Sequence, residues 1–153
     1  MKLIIFTDGS CNSKSKKCGY GVNFPNKELQ NISLPFTIKP LTNQRAELYA
    51  IYAALSVATK KNNLDIHIYS DSKYSIECVT NWINTWKQNG WMTATKKPVK
   101  NLDIIKPINN IINKYKGTIS FHHINSHTGN DDYYSINNDI ADQLAKNGSC
   151  FIN

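Results

Sequence analysis

The chain opens on Leu3, Ile4, Ile5 and Phe6, an unbroken apolar run of the kind that forms a strand buried on both faces. This predicts a first strand over residues 2–8. "CGYGVNF" (18–24) and roughly 28–38 predict two more strands, separated by the turn-forming "PNK", so that short connections make an antiparallel meander. From Thr42 the period changes to that of a helix. Leu48, Ile51, Tyr52 and Leu55 mark one face, four alanines favour the conformation, and Thr42 is placed to cap the N-terminus. "LDIHIYSD" (64–71) returns to alternation, with Leu64, Ile66 and Ile68 on one side. Helices are expected at about 73–86 and 101–115, a strand at 118–124, and a last helix over about 135–147 carrying Ile136, Ile140 and Leu144. The order βββαβααβα predicts an α/β protein with one five-stranded mixed sheet and helices packed on it, strands 1 and 4 being parallel neighbours.

Two aspartates punctuate this pattern. Asp8 is expected at the end of strand 1 in "FTDGS", and Asp71 at the end of strand 4 in "YSDSK". Adjacent parallel strands would bring both carboxylates to one end of the sheet, the end where α/β proteins place ligands. Glu47 falls in the first turns of the following helix, and Asp139 and Asp142 lie three apart on the last one. Carboxylates gathered in this way repel unless cations bind between them. An oxygen-only donor set suits Mg²⁺, with Mn²⁺ as a substitute, and two such ions can clamp a phosphodiester. Each acid alone could equally begin a turn or face solvent; the matched contexts of Asp8 and Asp71 favour a cluster.

Composition narrows the class. At 153 residues, 19% charged and 41% hydrophobic, the chain fits one folded domain. It has no apolar run of membrane-span length and no signal-peptide pattern, so no membrane association and a cytoplasmic location are expected. Cys11, Cys18, Cys78 and Cys150 show no CxxC spacing and are read as reduced thiols. The net charge of +7 suits an anionic partner, although solubility alone would explain it as well. The stretch "WINTWKQNGWMTATKKPVK" sets Trp82, Trp86 and Trp91 among Lys87, Lys96, Lys97 and Lys100 without one acid. Interleaved bases and aromatics suit a nucleic-acid groove, or a solvated loop beside core tryptophans.

Taken in order, "FTDGSC", "GYGV", "TNQRAEL", "YSDSKY", "TNWINTWKQNGW", "NSHTG" and "NNDIADQLA" resemble the type 1 ribonucleases H, metal-dependent enzymes that cleave the RNA strand of RNA/DNA hybrids. The resemblance spans nearly the whole catalytic domain. It implies a ribonuclease H-like fold, a monomer, two Mg²⁺ ions per site, and cleavage to 5′-phosphate and 3′-hydroxyl ends, with roles in primer removal and DNA replication. It assigns Asp8, Glu47, Asp71 and Asp142 as metal-binding acids, Asp142 being favoured over Asp139 because Asn138 to Ala145 fits the family's last motif. His127 matches the family's mobile histidine, assigned to proton transfer or product release. His122 and His123 are not expected to be ligands, and His67 reads as a sheet residue.

Asn43 and Gln44, at the helix start beside Thr42, match residues that touch substrate near the scissile strand, where the 2′-hydroxyl distinguishes RNA from DNA. Trp82 and Trp86 would line a basic protrusion that grips the DNA strand, with Thr42 and Asn101 holding a DNA phosphate. Pro40 replaces an expected arginine, which Lys39 would replace at weaker affinity, and Ala94 stands where some relatives have serine. Lys14, in the loop "CNSKSKKC", is a further substrate-contact candidate where relatives carry Gly and Asn. No accessory hybrid-binding domain is expected before the first strand.

Overall fold

Strand β1 (Lys2–Asn12) occupies the middle of the sheet, as its apolar run requires, with Leu3, Ile5 and Phe6 almost wholly buried. In the computed structural model, which describes residues 1–126 and 128–151, it pairs with β2 (Lys17–Asn23) antiparallel and with β4 (Asp65–Ser70) parallel. β3 (Ile32–Phe36) and β5 (Thr118–His123) form the edges, giving the order β3-β2-β1-β4-β5. Helix α1 (Asn43–Ala58) packs on one face, followed there by α2 (Lys73–Thr80), α3 (Trp82–Gln88) and α4 (Leu102–Lys114). Helix α5 (Tyr133–Ser149) covers β1, β2 and β3 on the other. No helix among the described residues is long and apolar enough to cross a membrane.

The core lies between α1 and the sheet. Leu48, Ile51 and Leu55 meet Leu3, Ile5, Val22, Ile66 and Ile68, each side chain contributing on the order of 1.5–3 kcal/mol of burial. Thr42 caps α1 as its sequence suggests, its hydroxyl accepting from the Arg45 amide at 3.2 Å.

Several boundaries differ from expectation. β1 runs on to Asn12 because its pairing with β2 continues to Asn12↔Lys17. β3 is only Ile32–Phe36, since Asn31 turns its side chain back to accept from the Phe24 amide at 2.7 Å. One helix expected over 73–86 is two, meeting at Asn81, where Thr80 bonds the Ile76 carbonyl and Asn81 bonds Glu77. Cys11 and Cys18 are not free thiols. They face each other as register partners across β1 and β2 and form a disulfide, because the hairpin places across two strands what the sequence sets seven residues apart.

Of the apolar stripe assigned to α5, Leu144 packs against Gly21 but the two isoleucines point outward. Ile136 and Ile140 are 45% and 39% exposed, while Asn137, Asn138, Ala141, Ala145 and Gly148 are buried. The reason lies in β2. A Cβ on Gly21 would come within 2.6 Å of the Ala141 carbonyl oxygen, so the helix rests on bare backbone and only small side chains fit between.

Arg45 ties the helices of the opposite layer together. Its buried guanidinium makes a two-pronged pair with Asp103 at 2.8 and 2.7 Å and reaches Asn101 Oδ1 at 3.3 Å. Asn101 has left-handed backbone (φ 66°) and passes the link on, its amide donating to the Tyr74 hydroxyl at 2.9 Å. Hydrogen bonding to Arg45 holds the Asp103 carboxyl below its ordinary range. We expect Asp103→Asn to lower stability by roughly 2–3 kcal/mol at pH 7, less than for a fully buried pair because Asp103 stays half in water. A lowered folded-state pKa gives stability that is present above about pH 4 and lost as pH falls through the folded value. Urea unfolding at pH 7 and pH 3 should therefore show the gap between variant and parent close at the lower pH.

Candidate active site

Asp8 lies within β1 rather than at its end, at the point where the parallel pairing stops. The last β1–β4 partners are Thr7 and Ser70, so the strands part beside Asp8, and Asp71 follows directly from β4. The side-chain alternation of β1 sets Asp8 on the α5 face, opposite Gly21. Glu47 arrives from α1 on the other side of the sheet. Its approach depends on Gly9, where a Cβ would lie 2.3 Å from the Glu47 backbone nitrogen. The missing side chain lets α1 sit directly against β1, and the Gly9 amide donates to the Glu47 carboxylate.

Carboxylate oxygens of Asp8, Glu47 and Asp71 consequently lie within 4.8 Å of one another. Asp8 and Glu47 are buried, at 4% and 7% exposure. Burial raises the Asp8 pKa far above the usual carboxylate range, with the charges of Glu47 and Asp71 adding to it. Glu47 is raised too, first by burial; its bond from Gly9 works against the shift. Asp142 stands beside this group rather than within it. Its carboxyl lies close enough to Asp8 to add to the upward shift there, and Lys146, one turn on, lies 3.0 Å from its Oδ2. Asp139 faces solvent.

Such a set fits hard divalent cations. The donors are all oxygen, the charge is uncompensated within the cluster, and the pKa values record the penalty of leaving it so.

Three participants escaped the sequence reading. Gly9 admits Glu47; Asn138 is buried on α5 and donates to Asp71 at 3.3 Å; Lys146 partners Asp142. The four-residue spacing of Asp142 and Lys146 was a usable signal, whereas nothing local announced the Asn138 contact.

The remaining candidates are spread around the site. Thr42, Asn43 and Gln44 are exposed at the start of α1, a turn before Glu47. The Asn101 side chain is committed to Arg45 and Tyr74, so both ends of its amide are engaged inside the protein. Trp82 and Trp86 pack at 5.9 Å between ring centres and line a surface cavity of about 350 Å³ with Thr85, Asn89, Met92, Thr93 and Ala94. Trp91 turns inward, under the ammonium of Lys106 at 5.0 Å. Lys14 is exposed on the β1–β2 hairpin, its amide held by Asn12. His127 lies outside the described residues.

A β3-β2-β1-β4-β5 sheet with acids meeting where β1 and β4 part defines a ribonuclease H-like protein. The RNase H family model matches residues 1–150. A curated relative named Ribonuclease H, from Ruthia magnifica, is 36% identical over 148 residues, covering 94% of this chain and 92% of its own. Among solved structures, the RNase H domain of prototype foamy virus is 27% identical with a TM-score of 0.78, covering 99% of this chain and 96% of that one. A foamy viral protease-reverse transcriptase in complex with RNA/DNA hybrid shares the fold, at 24% identity and a TM-score of 0.79, over 98% of this chain and 20% of its own. The chain belongs to the RNase H family, and it is a hydrolase.

Crowded acids without cations should oppose folding. Because the folded-state pKa of Asp8 is raised, the native protein holds more protons than the unfolded chain above about pH 4, and stability falls as pH rises through that window. In EDTA at pH 7.5 we expect Asp8→Asn to be more stable than the parent by on the order of 2 kcal/mol, with the advantage shrinking toward pH 4. Thermal unfolding with EDTA and with Mg²⁺ checks this, since the advantage should vanish where cations balance the charge.

Proposed function

We propose that the protein cleaves the RNA strand of RNA/DNA hybrids endonucleolytically, leaving 5′-phosphate and 3′-hydroxyl ends. The observation that carries the reading is the meeting of Asp8, Glu47 and Asp71 at the mouth between β1 and β4. These three acids with Asp142 would hold two Mg²⁺ ions, or Mn²⁺ in their place. When bound, such ions lower the pKa of water and stabilise charge on the leaving oxygen.

The chain's own groups supply position. Asn138 orients Asp71, the Gly9 amide orients Glu47, and Lys146 restrains Asp142, so each acid is aimed before substrate arrives. Asn43 and Gln44, with the free amides of the α1 N-terminus, are placed to meet phosphate and the 2′-hydroxyl of the RNA strand. The cavity beside Trp82 and Trp86, within a basic segment, suits the DNA strand. Thr42 would hold a DNA phosphate, while Asn101 would act there by fixing Arg45 and the start of α4 rather than through its occupied amide. Lys14 would add a backbone contact from the hairpin, and His127 would assist proton transfer or product release. The enzyme would act as a monomer in the cytoplasm on hybrids left by replication.

The test is cleavage of an end-labelled RNA/DNA hybrid with Mg²⁺, beside matched RNA/RNA and DNA/DNA duplexes. Only the RNA of the hybrid should be cut, and Asp71→Asn should slow the reaction by at least about a thousandfold, equivalent to roughly 4 kcal/mol of barrier. Cutting of DNA/DNA at a comparable rate would make this another nuclease on the same fold. Tight hybrid binding without cutting, in Mg²⁺ or Mn²⁺, would reduce it to a binding module.

A further inference from the structure

The β1–β2 hairpin and the connection from β3 to α1 enclose a basic cavity that the acids and the tryptophans leave unused. Lys16 and Lys17 line it from the hairpin and Lys39 from the connection, around a space of about 270 Å³ floored by Cys18, Phe36 and Leu41. Among the described residues no acid lines it, and none of the three lysines makes an ion pair. Ammonium groups gathered on one cavity repel unless an anion lies between them.

Two of the lysines stand on a fixed base. Lys17 pairs with Asn12 at the last step of the β1–β2 ladder, and the Cys11–Cys18 disulfide joins the strands one step before it. Lys16 has left-handed backbone (φ 57°), its amide donating to the Asn12 carbonyl at 2.9 Å. Glycine adopts that conformation without strain, so a lysine there keeps its charge at a cost to the backbone. The sequence singled out Lys14 in this loop, but Lys16 and Lys17 are the ones that line the cavity.

Position identifies the anion. Leu41 leads directly into Thr42 and Asn43, so the cavity adjoins the N-terminus of α1. Thr42 and Asn101, assigned to a DNA phosphate, are not among its walls, which makes it a separate seat. It lies on the β2–β3 side of the acids, whereas the cavity beside Trp82 and Trp86 lies at α3. The end of the hairpin is four residues beyond Asp8, about 13 Å along β1. The half-exposed ring of Phe151 gives the cavity an apolar wall, which suits a nucleotide unit better than a small free anion.

We propose that Lys16, Lys17 and Lys39 hold a backbone phosphate of the bound hybrid, about four base pairs from the acids at roughly 3.4 Å per pair, on the flank opposite the tryptophans. The inference rests on the hybrid as substrate and lengthens the stretch of it that the protein grips. Lysines that neutralise a phosphate release counterions, so the contact must show in the salt dependence of binding as well as in its strength.

Binding measured in the Asp71→Asn background with Mg²⁺, where nothing is cut, tests this on hybrids of about 6 to about 16 base pairs. Affinity should rise once the duplex is long enough to reach the hairpin. With Lys16→Gln, Lys17→Gln and Lys39→Gln together, at least about tenfold of that rise should be lost, and the slope of log Kd against log salt should fall by roughly one. Short hybrids should bind both proteins equally, and Lys60→Gln with Lys61→Gln, beyond the other end of α1, should change neither result. Lengthening the RNA alone or the DNA alone shows which strand supplies the phosphate, by which extension brings the lysine-dependent gain. In the ¹⁵N-labelled full chain, the amides of Lys16, Lys17, Thr37 and Lys39 should shift with long hybrids and not with short ones, which locates the contact without any lysine variant. A loss equal at every length, or no loss, would overturn the proposal and leave the cleavage reading standing; no binding of hybrid at any length would overturn both.

Discussion

The site rests on how closely a helix can approach a strand. Gly9 is the point of contact between β1 and α1, and any side chain there would occupy the space of the Glu47 backbone. With α1 moved outward by the width of a methyl group, Glu47 would lose the Gly9 amide and withdraw from Asp8. The parallel register of β1 and β4 does the rest. It keeps Asp8 and Asp71 level, and the parting of the strands after Thr7 and Ser70 opens the space that the acids face. Backbone pairing fixes two acids, and a vacancy fixes the third.

α5 follows the same logic on the opposite face. Its contact with β2 is made by Ala141, the Cβ of Leu144, Ala145 and Gly148 against the bare backbone of Gly19 and Gly21, with Asn137 bonded to Asn23, which brings Asn138 within reach of Asp71. The isoleucines that a period of 3.6 would bury face outward. Hydrophobic periodicity assumes that helices dock through their largest side chains. Here the strand offers so little relief that the smallest side chains win, since close packing over the whole contact outweighs the burial of two isoleucines.

This marks what could be read from the sequence. The strands, α1 with its Thr42 cap, and the parallel pairing of β1 with β4 were legible because each rests on local pattern. The gathering of Asp8, Glu47 and Asp71 was legible as an inference from topology, since two of the acids terminate parallel pairing. Contacts between distant segments were not. The Cys11–Cys18 disulfide requires the hairpin register, the Arg45–Asp103 clasp joins residues 58 apart, and Asn138 reaches Asp71 across 67. The split at Asn81 was missed for a different reason: Thr and Asn side chains compete with the helix backbone in ways that apolar period does not record.

The charge distribution poses an opposition that the geometry resolves. Lysines give the chain its excess of positive charge, which draws a polyanion toward it, yet the point where the strands part is acidic and repels phosphate. Protonation could relieve the acids, and their raised pKa values show that tendency, but a protonated cluster holds no cation and polarises nothing. Divalent cations remove the repulsion and make the same groups attractive to phosphate. Burial that is unfavourable to the bare carboxylates therefore strengthens the field around a bound cation, because both act through the same scarcity of water. The site is destabilising for the reason that it is useful, and the closely packed core beneath α1 is what holds the acids together in spite of it.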